Sequence, residues 1–148
     1  MHVKQFLSDP QRVFAVVLDA GDEIASSLDE FARDSGVDAA SFTAIGAVSS
    51  ATLGYFDPDI QDYREIYNNQ QAEVVSYSGD ITVAADDETE RTVHGHMVLA
   101  LADGHTVGGH LLAGHVRPTL EVVVTESPAH LRRRHDPATG LALIDLTA

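Results

Sequence analysis

VHGHMVLALADGHTVGGHLLAG, spanning Val93 to Gly114, is two apolar runs separated by Ala102-Asp103-Gly104, with His94 and His96 on the first run and His110 on the second. Side chains on a strand alternate faces, so His94 and His96, separated by Gly95, point the same way. The turn decides where His110 falls. A two-residue turn at Asp103-Gly104 pairs Met97 with His110 and sends His110 to the opposite face. A three-residue loop, Ala102-Asp103-Gly104, puts Gly104 in the left-handed position that glycine fills without a Cβ penalty and sets His96 directly opposite His110. That second register also gathers Met97, Leu99, Leu101, Val107 and Leu111 on the other face. One loop length therefore satisfies both the histidine face and the core.

Three neutral imidazoles with one position left open are the pattern of a catalytic or ligand-accepting zinc site, because structural zinc is closed by four protein ligands. Gly108 and Gly109 remove side chains beside His110 and leave room for a metal, a water or a ligand. The plainer alternative is a set of strand histidines hydrogen-bonded to one another and to water. His105 and His115 fall at expected turns, and His2, His130 and His135 near the ends, where exposed histidines are the ordinary case.

The rest of the chain reads as one domain, residues 1–148, long enough to bury a core. It carries 9 basic and 23 acidic residues, a formal charge of −14, which repels phosphate backbones and anionic membranes. There are no cysteines, so neither disulfides nor thiolate metal sites arise, which fits a reducing cytoplasm. No apolar run is long enough for a signal peptide or a membrane span, and a soluble cytoplasmic protein is expected.

Val13 to Leu18 is expected to be a buried strand. A helix should follow, capped by Asp22, with Ile24, Leu28 and Phe31 on its apolar face and Gly36 at its stop. Ser41 to Phe56 has a strand pattern whose phase slips near Gly46, as a bulge produces. Asp57-Pro58-Asp59 should turn the chain into a short strand from Tyr63 to Tyr67. Glu73 to Ala85 is one bent strand or two, broken around Ser78-Gly79-Asp80, and Asp86 to Glu90 an acidic hairpin tip. Gly114-His115 is expected to turn the chain into a strand from Thr119 to Thr125. If it does, Glu121 lies opposite Gly108 on the histidine face, although Pro118 removes a ladder donor nearby. The pattern is one antiparallel sheet system with one main helix.

Several of these segments together resemble the PPC, or "plants and prokaryotes conserved", domain family. The resemblance is carried by FTAIGAVSSATLGYF (Phe42–Phe56), Glu73 with Ser76 and Gly79, His94-x-His96, Gly108-Gly109-His110-Leu111, and the Asp136-x-x-Thr139-Gly140 tail preceded by arginines. It covers nearly the whole chain, in order. It implies an α/β (α+β) fold with an antiparallel sheet packed on one helix, a homotrimer, and a metal, zinc or another divalent transition metal, at His94, His96 and His110. Fold relatives include zinc-dependent acetolactate decarboxylase. Glu73 matches a family glutamate and is a candidate, with Glu121, to orient a ligand histidine or move a proton.

Two classes of function follow. One is a metalloprotein that binds or transforms a small molecule. The other is a non-catalytic regulatory module, including the DNA-binding role attributed to the family. The Arg-Gly-Arg-Pro hook through which plant members contact DNA is absent, and Arg132 to Arg134, the only basic run, reads as a solvated face. DNA is therefore not an expected partner.

Overall fold

The computed structural model describes residues 1–7, 11–85, 87, 89–127 and 132–145, with the backbone alone for 2–7. In chain order the elements are β1 (His2–Leu7), β2 (Val13–Asp19), α1 (Ile24–Ser35), β3 (Ala40–Asp57), β4 (Asp62–Asn68), β5 (Ala72–Val83), β6 (Arg91–Ala100), β7 (Thr106–Glu126), β8 (Arg132–His135) and β9 (Ala142–Asp145). The fold is the expected α+β type, with a nine-stranded sheet and one helix among the described residues. Among the described residues all the pairings are antiparallel except a single parallel bridge between Val83 and Arg132. Pairing closes on itself. Along β3, one stretch joins both β5 and the second half of β7, while β6 joins β5 to the first half of β7.

The alternation of β2 buries Phe14, Val16 and Leu18 on one face. Helix α1 lays Ile24, Leu28, Phe31 and Ala32 over β6 and β7, and Phe31 meets Phe14 edge-on at 5.2 Å. Its stop is the expected one: Gly36 is left-handed (φ 61°), and Val37 N–H donates to Ala32 O at 2.8 Å. The start differs by one residue. Glu23, not Asp22, is the N-cap, its carboxylate accepting from Ser26 N–H at 2.8 Å, while Asp22 accepts from Asp19 N–H.

The phase slip near Gly46 is a bulge: the β3 registers to β5 and β7 both shift there. Gly46 has φ 152°, and a Cβ on it would lie 2.3 Å from Thr119 O, so the close approach of β7 requires glycine. Residues 72–83 form one strand, with a register shift between Val74 and Ser76 rather than a break at Ser78-Gly79-Asp80. The acidic tip falls partly outside the described residues, at 86 and 88. Beneath it, Ala84 N–H closes the hairpin on Glu90 O.

The expected turn at Gly114-His115 does not form. β7 runs straight through it, with Ala51 opposite Gly114 and Ser50 opposite His115, so the long β3 satisfies the backbone that a turn would otherwise have had to satisfy. The glycine serves packing instead. A Cβ on Gly114 would lie 3.0 Å from Ile24 Cδ1, and Gly114 N–H donates to the capping Glu23 at 3.2 Å. Val122–Thr125 lies inside the sheet, between β2 and β3, as suits so apolar a stretch.

Candidate metal centre

The β6–β7 hairpin has the three-residue loop. Leu101 N–H donates to His105 O at 2.8 Å, Gly104 N–H to Leu101 O at 2.9 Å, and Gly104 is left-handed at φ 86°. His96 therefore stands directly opposite His110. Met97, Leu99 and Leu111 are buried on the other face, with Leu101 and Val107 packed against them.

The three rings form a triangle, with centroids 5.3 Å (His94–His96), 5.0 Å (His94–His110) and 5.4 Å (His96–His110) apart. Each offers one nitrogen, and these lie within 4.8 Å of one another. Tetrahedral zinc with Zn–N bonds of about 2.0–2.1 Å draws its nitrogens to roughly 3.3 Å, a contraction within reach of side-chain rotation. The donor set fits the cation in two further respects. His110 Nδ1 is buried with no hydrogen-bond partner among the described residues, which a neutral polar atom rarely tolerates. Burial, followed by the neighbouring His94, His96 and Arg133, also pushes the His110 pKa down to about 4; burial and His94 lower that of His96. Both are thus held in the neutral form that a metal needs.

Other residues complete the surroundings, and sequence reading had passed over them. Tyr63 of β4 stacks on His110 with centroids 4.7 Å apart and planes 23° apart. The room comes from Gly54, paired with His110, where a Cβ would lie 2.6 Å from Tyr63 Cδ1. Gly109 is explained differently from the expectation: a Cβ there would meet Gly54 O at 2.6 Å, so it admits the β3 backbone rather than a ligand.

Asp80, expected where the strand bends or breaks, sits mid-strand opposite His94, with Oδ2 3.4 Å from His94 Nδ1. Burial alone would raise its carboxyl, but hydrogen bonds from His94 and Arg133 outweigh that and hold it below the usual range. The basic run is a solvated face only in part. Arg134 is 71% exposed, meeting Asp145 at 3.3 Å within the β8–β9 hairpin, but Arg133 is only 7% exposed. The signal that would have exposed Asp80 is the β5–β6 register, since pairing Ser78 with His96 forces Asp80 onto His94.

The two candidate glutamates lie elsewhere. Ser78 faces His96, and Glu73 is five residues back along β5, about 16 Å at strand rise. Glu121 is not opposite Gly108; its partners are Val17 and Ile45. Glu73 and Glu121 share a groove with Ile45 and Thr119, and among the described residues only His94, His96 and His110 form a metal-competent cluster. His105 is exposed beside Asp103 at 3.0 Å; His115 is exposed on β7 rather than at a turn, and His135 is exposed on β8, as expected of a histidine near the end. The side chain of His2 and the whole of His130 lie outside the described residues.

A family model, the Plants and Prokaryotes Conserved (PCC) domain, matches residues 7–128. The chain belongs to the PCC domain family. Among solved structures, this PCC domain is similar to the metal-containing protein AF0104 from Archaeoglobus fulgidus, at 31% identity and TM-score 0.82 over 97% of this chain and 98% of that one. It is similar to a plant- and prokaryote-conserved protein from Pyrococcus horikoshii, at 25% identity and TM-score 0.84 over 95% and 97%. A third, from Ralstonia eutropha JMP134, is named "Putative DNA-binding protein", with 30% identity and TM-score 0.81 over 90% of each chain. In sequence, the PCC domain is 33% identical over 132 residues to a Synechococcus bifunctional protein GlmU, spanning 87% of this chain but one fifth (20%) of that protein.

Proposed function

We propose that this PCC domain binds zinc or another divalent transition metal through His94, His96 and His110, and that the remaining coordination position takes a small molecule. The observation that carries this reading is the convergence of three imidazoles on one face, one of them with a buried and unpartnered nitrogen. The metal-containing similar protein from Archaeoglobus fulgidus supports it. A cation held by three imidazoles supplies Lewis acidity, which polarises a carbonyl or activates water. The chain's part is to hold the rings neutral, with Tyr63 walling one side. Metal analysis of the purified protein tests the reading: about one equivalent per chain supports it, and none after incubation with Zn²⁺ overturns it.

The same reading includes a homotrimer. Ile45, Val75 and Val123 are 61%, 55% and 48% exposed on adjoining strands, a cluster of apolar side chains of the sort that self-association covers. Light scattering at micromolar concentration should give three times the 15.9 kDa chain mass, and Val123→Asp should reduce it to one. A monomeric unmodified chain would sink the expectation.

A regulatory role on DNA is the second reading, favoured by the name of the Ralstonia protein. Against it stand the charge of −14 and the burial of Arg133 at the centre of the basic run. Duplex DNA at physiological salt is expected to bind no more tightly than about 10⁻⁴ M. Tight, salt-resistant retardation of a labelled duplex would reverse this.

A further inference from the structure

The outer face of β5 and β6 carries a buried cation that the metal site does not by itself require. Arg133 projects from the β8–β9 hairpin onto the sheet, and its guanidinium makes three contacts: Nη2 to Asp80 Oδ1 at 2.6 Å, Nε to Thr82 Oγ1 at 3.0 Å and Nη1 to Ala142 O at 2.7 Å. Asp80 thus has one oxygen locked by a charge-assisted bond, and its other oxygen is the one turned to His94 Nδ1.

We propose that Arg133 is a positioning residue that holds Asp80 against His94 Nδ1 and so fixes His94 as an Nε2 ligand for the cation. An imidazole whose Nδ1–H donates to a carboxylate has its lone pair on Nε2, with the ring's rotation and tautomer both set. Without the guanidinium, the Asp80 side chain is free to rotate away from a partner that it meets only at 3.4 Å. The family match ends at residue 128, so the clamp reaches the histidine face from a segment beyond that span. The inference rests on the metal-binding reading, but the tautomer of His94 is defined in the metal-free chain as well.

The test is long-range ¹H–¹⁵N correlation of the histidine rings in the metal-free full chain, together with Zn²⁺ affinity by chelator competition. In the unmodified chain His94 should be a single Nδ1–H tautomer. Arg133→Met should shift it toward the Nε2–H form and weaken Zn²⁺ about 10- to 100-fold. Arg133→Lys, which keeps a donor, should recover part of both. Asp80→Asn should shift the tautomer as Arg133→Met does, and it stands in where that variant does not fold. Gln61→Ala removes another bond to the hairpin, Gln61 Nε2 to Ala138 O at 3.3 Å, without touching Asp80, and should change neither readout.

An unchanged tautomer and affinity in Arg133→Met, or an equal loss in Gln61→Ala, would overturn the clamp. Failure of the unmodified chain to bind Zn²⁺ would overturn the metal reading instead, leaving the tautomer to decide the clamp.

Discussion

Replacing His110 with alanine is expected to abolish stoichiometric metal while leaving a folded protein. The imidazole is the cross-strand partner of His96, and its Nδ1 is buried. Removing one of three protein ligands forfeits roughly 3 kcal/mol or more of metal binding, a loss of at least about 100-fold. The fold does not depend on it, because Met97, Leu99 and Leu111 are buried on the opposite face of the same hairpin and α1 covers them. Circular dichroism and light scattering should therefore match the unmodified chain, while metal analysis shows none. His105→Ala is the control: its ring is 83% exposed at the loop and should leave metal and fold intact. Full metal retention in His110→Ala would show that the cluster is not the site.

Acidification should release the metal and also destabilise the metal-free protein, each for a reason set by the same ring. Protons and metal compete for neutral imidazole. His110 and His96 are both lowered in the folded chain, so release should fall below pH 6 rather than at the ordinary histidine value of about 6.5. The sign for folding follows from proton counting. Unfolded, His110 takes up a proton near 6.5; folded, it does so only near 4. Between those values the unfolded state holds the extra proton, so stability is intact above about 6.5, falls as pH drops, and loses nothing more from this group below about 4. The full shift corresponds to about 3 kcal/mol, and solvent screening of this half-buried ring reduces the loss to roughly 1–2 kcal/mol across the window. Denaturant titrations of metal-free protein at pH 7 and 4.5 should show it, and His110→Ala should show a smaller drop. A metal-release midpoint above 6.5, or an equal drop in the variant, contradicts the burial of His110 as the cause.

Much of the centre was legible before the structure because its determinants are local. The alternation of His94 and His96, the left-handed requirement at Gly104 and the matching apolar face all lie within residues 93–114, and a short hairpin admits only a few registers. The helix was legible for the same reason, from Ile24, Leu28 and Phe31 to the stop at Gly36. Its cap moved by one residue, to Glu23, because that carboxylate also reaches Gly114, 91 positions along the chain.

What tertiary structure alone decided concerns groups whose partners are remote. Gly114-His115 has the composition of a turn, but β3 pairs with both residues and Ile24 fills the space above the glycine, so the strand continues and Glu121 stays with Val17 and Ile45. Tyr63 reaches His110 only because β3 brings Gly54 between them. Asp80 and Arg133 are 53 residues apart, and the guanidinium of a run that reads as solvated lies buried on the carboxylate. Strand period and turn chemistry act over a few residues and are written in the sequence directly. Which strand lies beside which, and which buried charge meets which, is settled only when the closed sheet forms and fixes the partners within reach of each desolvated group.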